Sequence, residues 1–208
     1  DVISAITNGD LTTPASYDVS ITGTASATQI SQIDGDTTGT VSVENIEDTL
    51  GNIATLNGSA ASIVQNASGT ITALGSGTGD SADFSTVNHA MTISGLGGND
   101  GLTGTALADT IIGGTGTDEM FGGDGADVFE FATGDSPTAG TGFYQYDVIG
   151  DFTSTEDQLD FQALATLGAA ETNNAVTLGG QAGMVDIDAA GLVTFTGAGV
   201  ADMTVTEA

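Results

Sequence analysis

The chain has 208 residues, with 28 acidic side chains against no lysine or arginine, one histidine and a formal net charge of −28. That balance excludes nucleic acid and anionic membrane surfaces as partners, since both are held by basic patches. It does not exclude folding: 39% of residues are hydrophobic and the mean hydropathy is +0.14, whereas disordered acidic chains are poor in apolar residues.

Cysteine is absent, which removes disulfides and thiolate metal sites. Glycine is abundant (32) and proline scarce (2), a mixture that suits short strands joined by tight turns. No run of about eighteen apolar residues marks a membrane helix, so direct membrane insertion is not expected. There is neither an initiating Met nor an N-terminal signal peptide, so the chain is read as processed or as part of something longer.

Residues 1–90 carry one rhythm. SYDVSITGT (16–24) and GTVSVENIE (39–47) alternate polar and apolar, as half-buried strands do. Between them ASATQISQIDGD predicts a short helix. A second helix is predicted over 48–67 from the spacing of Leu50, Ile53 and Leu56, and SGTITALGS (68–76) is again strand-like. Strand, helix, strand, helix, strand at roughly twenty-residue spacing reads as stacked coils of a solenoid. The region loosely resembles the Thr/Ala-rich repeats of bacterial surface-layer and large adhesin proteins. Asp80 and Asp83, in GSGTGDSADF, read equally well as a degenerate turn or a solvated loop. His89 has no second histidine or cysteine to complete a zinc site and is read as a surface or strand-face residue.

Residues 91–131 repeat every nine. The units GLGGNDGLT (95–103), GTALADTII (104–112), GGTGTDEMF (113–121) and GGDGADVFE (122–130) place Asp100, Asp109, Asp118 and Asp127 at position six. Leu102, Ile111, Met120 and Phe129 hold position eight, with Phe84 and Ile93 in the same inward phase. Each unit is a glycine-led turn, where missing Cβ atoms permit tight bending, followed by a short strand with one side chain inward. Two units then make one coil, so turns one and three stack on one edge and turns two and four on the other. A cation between stacked turns meets only oxygen, as calcium requires. The candidate ligands are the carboxylates of Asp100, Asp109, Asp118 and Asp127 with the turn residues Gly95, Gly97, Asn99, Gly104, Ala106, Gly113, Gly114, Thr115, Gly116, Gly122, Gly123, Asp124 and Gly125. One Ca2+ is expected between 95–100 and 113–118, and another between 104–109 and 122–127.

The two units GGTGTDEMF and GGDGADVFE match the nonapeptide G-G-x-G-x-D-x-(apolar)-x at every fixed position, and the chain thereby resembles the repeats-in-toxin (RTX) family. Leu96, Thr105 and Leu107 depart from the pattern in the first two units. The likeness implies a mainly all-β chain: a right-handed parallel β-solenoid or β-roll, with a few short helices in its N-terminal half. It also implies that 132–208 is a C-terminal cap with a type I secretion signal region. FATGDSPTAGTGFYQYDVIGDFTSTEDQLDF (131–161) is similar to the capping segment that follows the last repeat in such proteins, through Asp147, Ile149, Asp151, Phe152, Asp157, Leu159 and Asp160. A third calcium is expected between 113–118 and this cap, at Asp135, Asp147 or Asp151.

Catalysis finds no motif: there is no G-x-S-x-G and no H-E-x-x-H. The pairs Glu44/Glu47 and Asp157/Asp160 have the residue types of glycoside hydrolysis, but such pairs arise by chance in so acidic a chain, and no Trp is present as a sugar platform. The chain is not expected to be an enzyme. In the cytosol its unpaired acids would keep the repeats expanded. Outside the cell, millimolar calcium would saturate sites with dissociation constants on the order of 10⁻⁴–10⁻³ M and drive folding. The expected function is a secreted bacterial structural protein that assembles with itself, end to end or laterally, into a surface layer or extracellular filament. A cell-surface glycan is the other candidate partner. The alternative is a C-terminal calcium-folding and secretion module of a larger toxin, protease or adhesin.

Overall fold

A computed structural model describes residues 16, 18–132, 135, 147–153 and 156–161, with the strand segments 171–178, 181–187 and 193–197. Most of 133–146 and the tail beyond 197, which the sequence reading assigned to the cap and the secretion signal, lie outside the described residues.

The N-terminal coils alternate strand and helix: β1 (Val19–Ala25), α1 (Ala27–Asp36), β2 (Val41–Thr49), α2 (Leu50–Gln65) and β3 (Ile71–Ser76). Helix α1 starts where Ser26 Oγ accepts from Gln29 N (3.2 Å) and Gln29 Oε1 accepts from Ser26 N (3.0 Å), a reciprocal cap that satisfies two otherwise unpaired donors. Ala27, Ile30 and Ile33 recur on one face and are buried. In α2 the buried stripe runs through Leu50, Ile53, Leu56, Ala60, Ile63 and Val64. The helix kinks at Ala60 (φ −137°, ψ 46°), directly after Gly58 and Ser59, a pair that holds helical geometry weakly.

Past β3 the helices give way to strands. These are β4 (Ser81–Asp83), β5 (Met91–Leu96), β6 (Gly101–Thr103), β7 (Thr110–Ile112), β8 (Glu119–Phe121), β9 (Val128–Phe131), β10 (Val148–Ile149) and β11 (Gln158–Phe161). They sort by parity into two sheets. One runs β1-β2-β3-β5-β7-β9-β11, every pair parallel, so the helix-backed and strand-backed coils share it without a break. The other joins β4, β6, β8 and β10 in parallel. It then continues through β12 (Glu171–Leu178), β13 (Gln181–Ile187) and β14 (Val193–Gly197), the last two pairings antiparallel. The result is the parallel β-roll the repeats predicted, with Thr92, Thr110 and Val128 side by side in successive coils. The antiparallel strands at its C-terminal end were not foreseen: their apolar spacing carries neither the nine-residue phase nor glycine-led turns.

The N-terminal coils bury strand residues against the two helices, and across the repeat coils the core narrows to one in-register column per sheet. Ile93, Ile111 and Phe129 form one column in register, and Leu102, Met120 and Ile149 the other, all 0% exposed. Phe129 also meets Phe152 with ring centroids 6.3 Å apart. Burying each of these side chains stabilises the roll by about 1.5–3 kcal/mol.

Candidate metal centre

The turns that join the sheets fall on two edges. The first edge holds Asp80, Asp100, Asp118 and Asp147, and the second holds Asp109, Asp127 and Asp157. Backbone N–H groups link successive carboxylates along each edge. Asp80 N donates to Asp100 Oδ1 (2.7 Å), Asp100 N to Asp118 Oδ1 (2.9 Å) and Asp118 N to Asp147 Oδ1 (2.9 Å). On the second edge Met91 N donates to Asp109 Oδ1 (2.6 Å), Asp109 N to Asp127 Oδ1 (2.8 Å) and Asp127 N to Asp157 Oδ1 (3.0 Å). Each aspartate past Asp80 thus ties its own coil to the previous one, one rung per coil.

These carboxylates are buried: Asp100, Asp109, Asp118, Asp127 and Asp147 are each 3% exposed or less. No lysine or arginine exists to neutralise them. Burial pushes the Asp118 carboxyl up to about 7; the Asp100 amide opposes this, and Asp147, Asp100 and Asp135 add repulsion. Burial likewise pushes Asp127 up to about 6, against the Asp109 amide and with repulsion from Asp157, Asp109 and Asp151. Asp100 and Asp109 are raised by burial too, and for Asp109 the Thr105 and Met91 amides and His89 pull the other way. Uncompensated buried charge of this kind is costly and calls for a counter-ion.

The turn residues named from the sequence come together as stacked pairs. Gly98 N donates to Thr115 O (2.8 Å), Thr115 N to Leu96 O (3.0 Å) and Thr117 N to Asn99 Oδ1 (3.1 Å), which sets Gly95, Gly97 and Asn99 against Gly113, Gly114, Thr115 and Gly116. On the other edge Gly104 faces the Gly122 carbonyl, and Gly123 and Gly125 face the backbone of Thr105 and Leu107. Ala106 and Asp124 are exposed.

Glycine at position one serves space, not φ. A Cβ on Gly95 or Gly122 would collide with Asp100 Oδ2 or Asp127 Oδ2, which fold back over the bare Cα. Positions two and four take positive φ: Gly114 has φ 88° and Gly123 φ 98°, Gly98, Gly116 and Gly125 have φ 112°, 147° and 125°, and Leu96 holds φ 69° despite its Cβ. Leu96 is 51% exposed, so no packing offsets that strain. Leu96→Gly should stabilise the protein by roughly 1 kcal/mol, read as a higher denaturation midpoint in calcium.

The cap divides between the edges. Gly116 N donates to Asp135 O (3.0 Å), and Asp147 sits above Asp118, both on the first edge. Asp151, grouped with turn 113–118 in the sequence reading, stands on the second edge. Its two oxygens accept from Gly122 N and Gly123 N, each at 2.9 Å. The reason is parity: Asp151 follows β10, a strand of the second sheet. Sequence reasoning left Asp80 open between a degenerate turn and a solvated loop, and it did not place Asp157 as a rung; both are rungs. Asp157 had been read as a residue of the capping segment and as half of an acid pair; it is buried and takes amides from Asp127 and Thr153. A Ser or Thr four residues before the aspartate marks both. His89 faces the carbonyls of Ala90 (2.7 Å) and Ala67 (3.0 Å), a structural role.

Among the described residues no three acidic or histidine side chains converge on one point. A cation here must therefore be completed by backbone carbonyls, and the turns supply them. Asp100 Oδ2, Asp118 Oδ2 and Asp127 Oδ2 are buried with no hydrogen-bond partner. The Gly113 carbonyl lies beside the same bare Gly95 Cα as Asp100 Oδ2. Orphaned hard oxygens without nitrogen or sulfur fit calcium.

The family described as peptidase M10 serralysin C terminal matches residues 63–194, more than half of the chain. No curated protein and no solved structure matches.

Proposed function

The chain belongs to the peptidase M10 serralysin C-terminal family, and from that premise we propose a secreted, calcium-folded structural protein that assembles with itself at the cell surface. The family is a calcium-binding β-roll family of type I secreted, extracellular proteins. In this chain Asp100, Asp118 and Asp127, with carbonyls of the stacked glycine turns, would hold the ions. Bound calcium supplies the positive charge that Lys and Arg do not. The protein's own part is to stack the turns, exclude water from the carboxylates and keep one backbone N–H on each. No catalytic role is assigned to any residue.

The observation that carries the assembly reading is the edge of the first sheet. Among the described residues β1 pairs on one side only, with β2. An unpaired strand edge is a template for another chain, and the continuous sheet gives a stiff rod to extend. Electron microscopy and light scattering test it: filaments or sheets are expected in millimolar calcium and should disperse in chelator. A particle that stays monomeric throughout overturns assembly.

The family description favours a second reading, in which the chain is the calcium-folding and secretion module of a larger protein. The mass of the native product, measured directly, distinguishes the two, because a parent chain carrying a catalytic or binding domain supports the second.

A further inference from the structure

Leaving aside Asp147, whose preceding turn lies outside the described residues, the aspartate turns on the two edges are of two kinds. In three, the chain closes on the carboxylate four residues ahead: Ser76 N donates to Asp80 Oδ2 (2.6 Å), Thr105 N to Asp109 Oδ2 (2.5 Å) and Thr153 N to Asp157 Oδ2 (2.7 Å). Hydroxyls reinforce the closure, Ser76 Oγ donating to Asp80 Oδ2 (2.9 Å) and Thr105 Oγ1 accepting from Leu107 N (3.0 Å). In the other three, the corresponding position is Leu96, Gly114 or Gly123, each at positive φ. There the second oxygen of Asp100, Asp118 or Asp127 is buried and has no donor. The backbone at this position separates the two kinds: Ser76, Thr105 and Thr153 are not at positive φ, whereas Leu96, Gly114 and Gly123 are, and at the two threonines β-branching resists positive φ.

We propose that this closure selects where calcium binds: the open turns of Asp100, Asp118 and Asp127 take ions, and the closed turns of Asp80, Asp109 and Asp157 take none. A closed turn aims an amide hydrogen at the oxygen a cation would need, and the two positive poles exclude one another. Closed turns stand at the first rung of both edges and at Asp157, so they anchor the aspartate stacks without metal. Calcium is confined to Asp100 and Asp118, beyond Asp80 on the first edge, and to Asp127, between Asp109 and Asp157 on the second. The inference rests on the calcium reading above and narrows it to particular carboxylates.

The test is calcium stoichiometry of the full chain at neutral pH, by native mass spectrometry and by equilibrium dialysis with radiocalcium. Asp127→Asn should bind one ion fewer than the wild type, while Asp109→Asn, with folding checked by circular dichroism in calcium, keeps the wild-type number. Conversely, Thr105→Gly with Leu107→Gly restores the repeat pattern, opens the turn and should gain one ion. This gain-of-ion variant keeps the proposal testable if Asp109→Asn does not fold. Loss of an ion in Asp109→Asn, or no gain in the double variant, overturns the selector and leaves the calcium reading standing. A wild-type chain that binds no calcium at millimolar concentration overturns both.

Discussion

With calcium chelated above neutral pH, the roll from Met91 to Phe161 is expected to lose its strand signal in circular dichroism, and the signal should return on lowering the pH or restoring calcium. The sign follows from the buried aspartates. Asp118 in the folded chain titrates at about 7 and Asp127 at about 6, both above their ordinary 3.8. The folded form therefore holds more protons than the unfolded one between 3.8 and about 7. Stability of the metal-free roll is full below that window, falls as pH rises through it, and is lowest above it. Calcium inverts the dependence, because its ligands must be deprotonated; acid then releases the ion. At a hundredfold excess over its dissociation constant each ion stabilises the fold by about 2.7 kcal/mol. Three open turns thus contribute on the order of 8 kcal/mol, comparable with the whole stability of about 5–15 kcal/mol of an ordinary domain. Among the described residues no carboxylate before Asp100 is buried, so the helical signal of α1 and α2 should outlast that of the roll. An unchanged strand signal and melting midpoint in chelator above neutral pH would rule the mechanism out.

The substitution Asp118→Asn reverses its effect with calcium. The amide oxygen can still accept from Asp100 N, which holds the rung at 2.9 Å in the wild type, but it no longer offers a charged ligand. In saturating calcium the variant should lose about 2.7 kcal/mol, the contribution of one site at a hundredfold excess. In chelator at about pH 7, inside the window where the metal-free roll is losing stability but not yet at its lowest, the order switches. The wild type must there bury a carboxylate that its surroundings push up to about 7, beside Asp147, Asp100 and Asp135, and the neutral amide avoids that cost. Urea denaturation of both proteins, with and without calcium, checks the crossing. A variant less stable in both media would mean that Asp118 acts only through its hydrogen bonds.

How far the sequence foretold this structure depended on whether the signal was local. The nine-residue phase was legible because the inward column admits only apolar side chains, so Leu102, Ile111, Met120 and Phe129 announce themselves. The two helices were legible through the spacing of Leu50, Ile53 and Leu56 and the apolar positions of 25–36. Asp147 and Asp157 lie 29 and 30 residues from the rungs they meet, Asp118 and Asp127. The longer coil between them breaks the period, and spacing alone could not assign their edges. Asp80 was ambiguous for a related reason, since its coil is 20 residues long and carries serine where the repeat has glycine. Nor did the sequence separate closed from open turns: a departure at Thr105 reads as a weakened repeat until the amide on Asp109 is seen.

The single-file interior has a consequence for how such a chain can grow. Because each pair of strands touches mainly the pair before and the pair after, one eighteen-residue cassette such as 104–121 could be duplicated without disturbing either terminus. Length in this architecture is then a freely adjustable variable, set by copying a segment rather than by redesigning a globule.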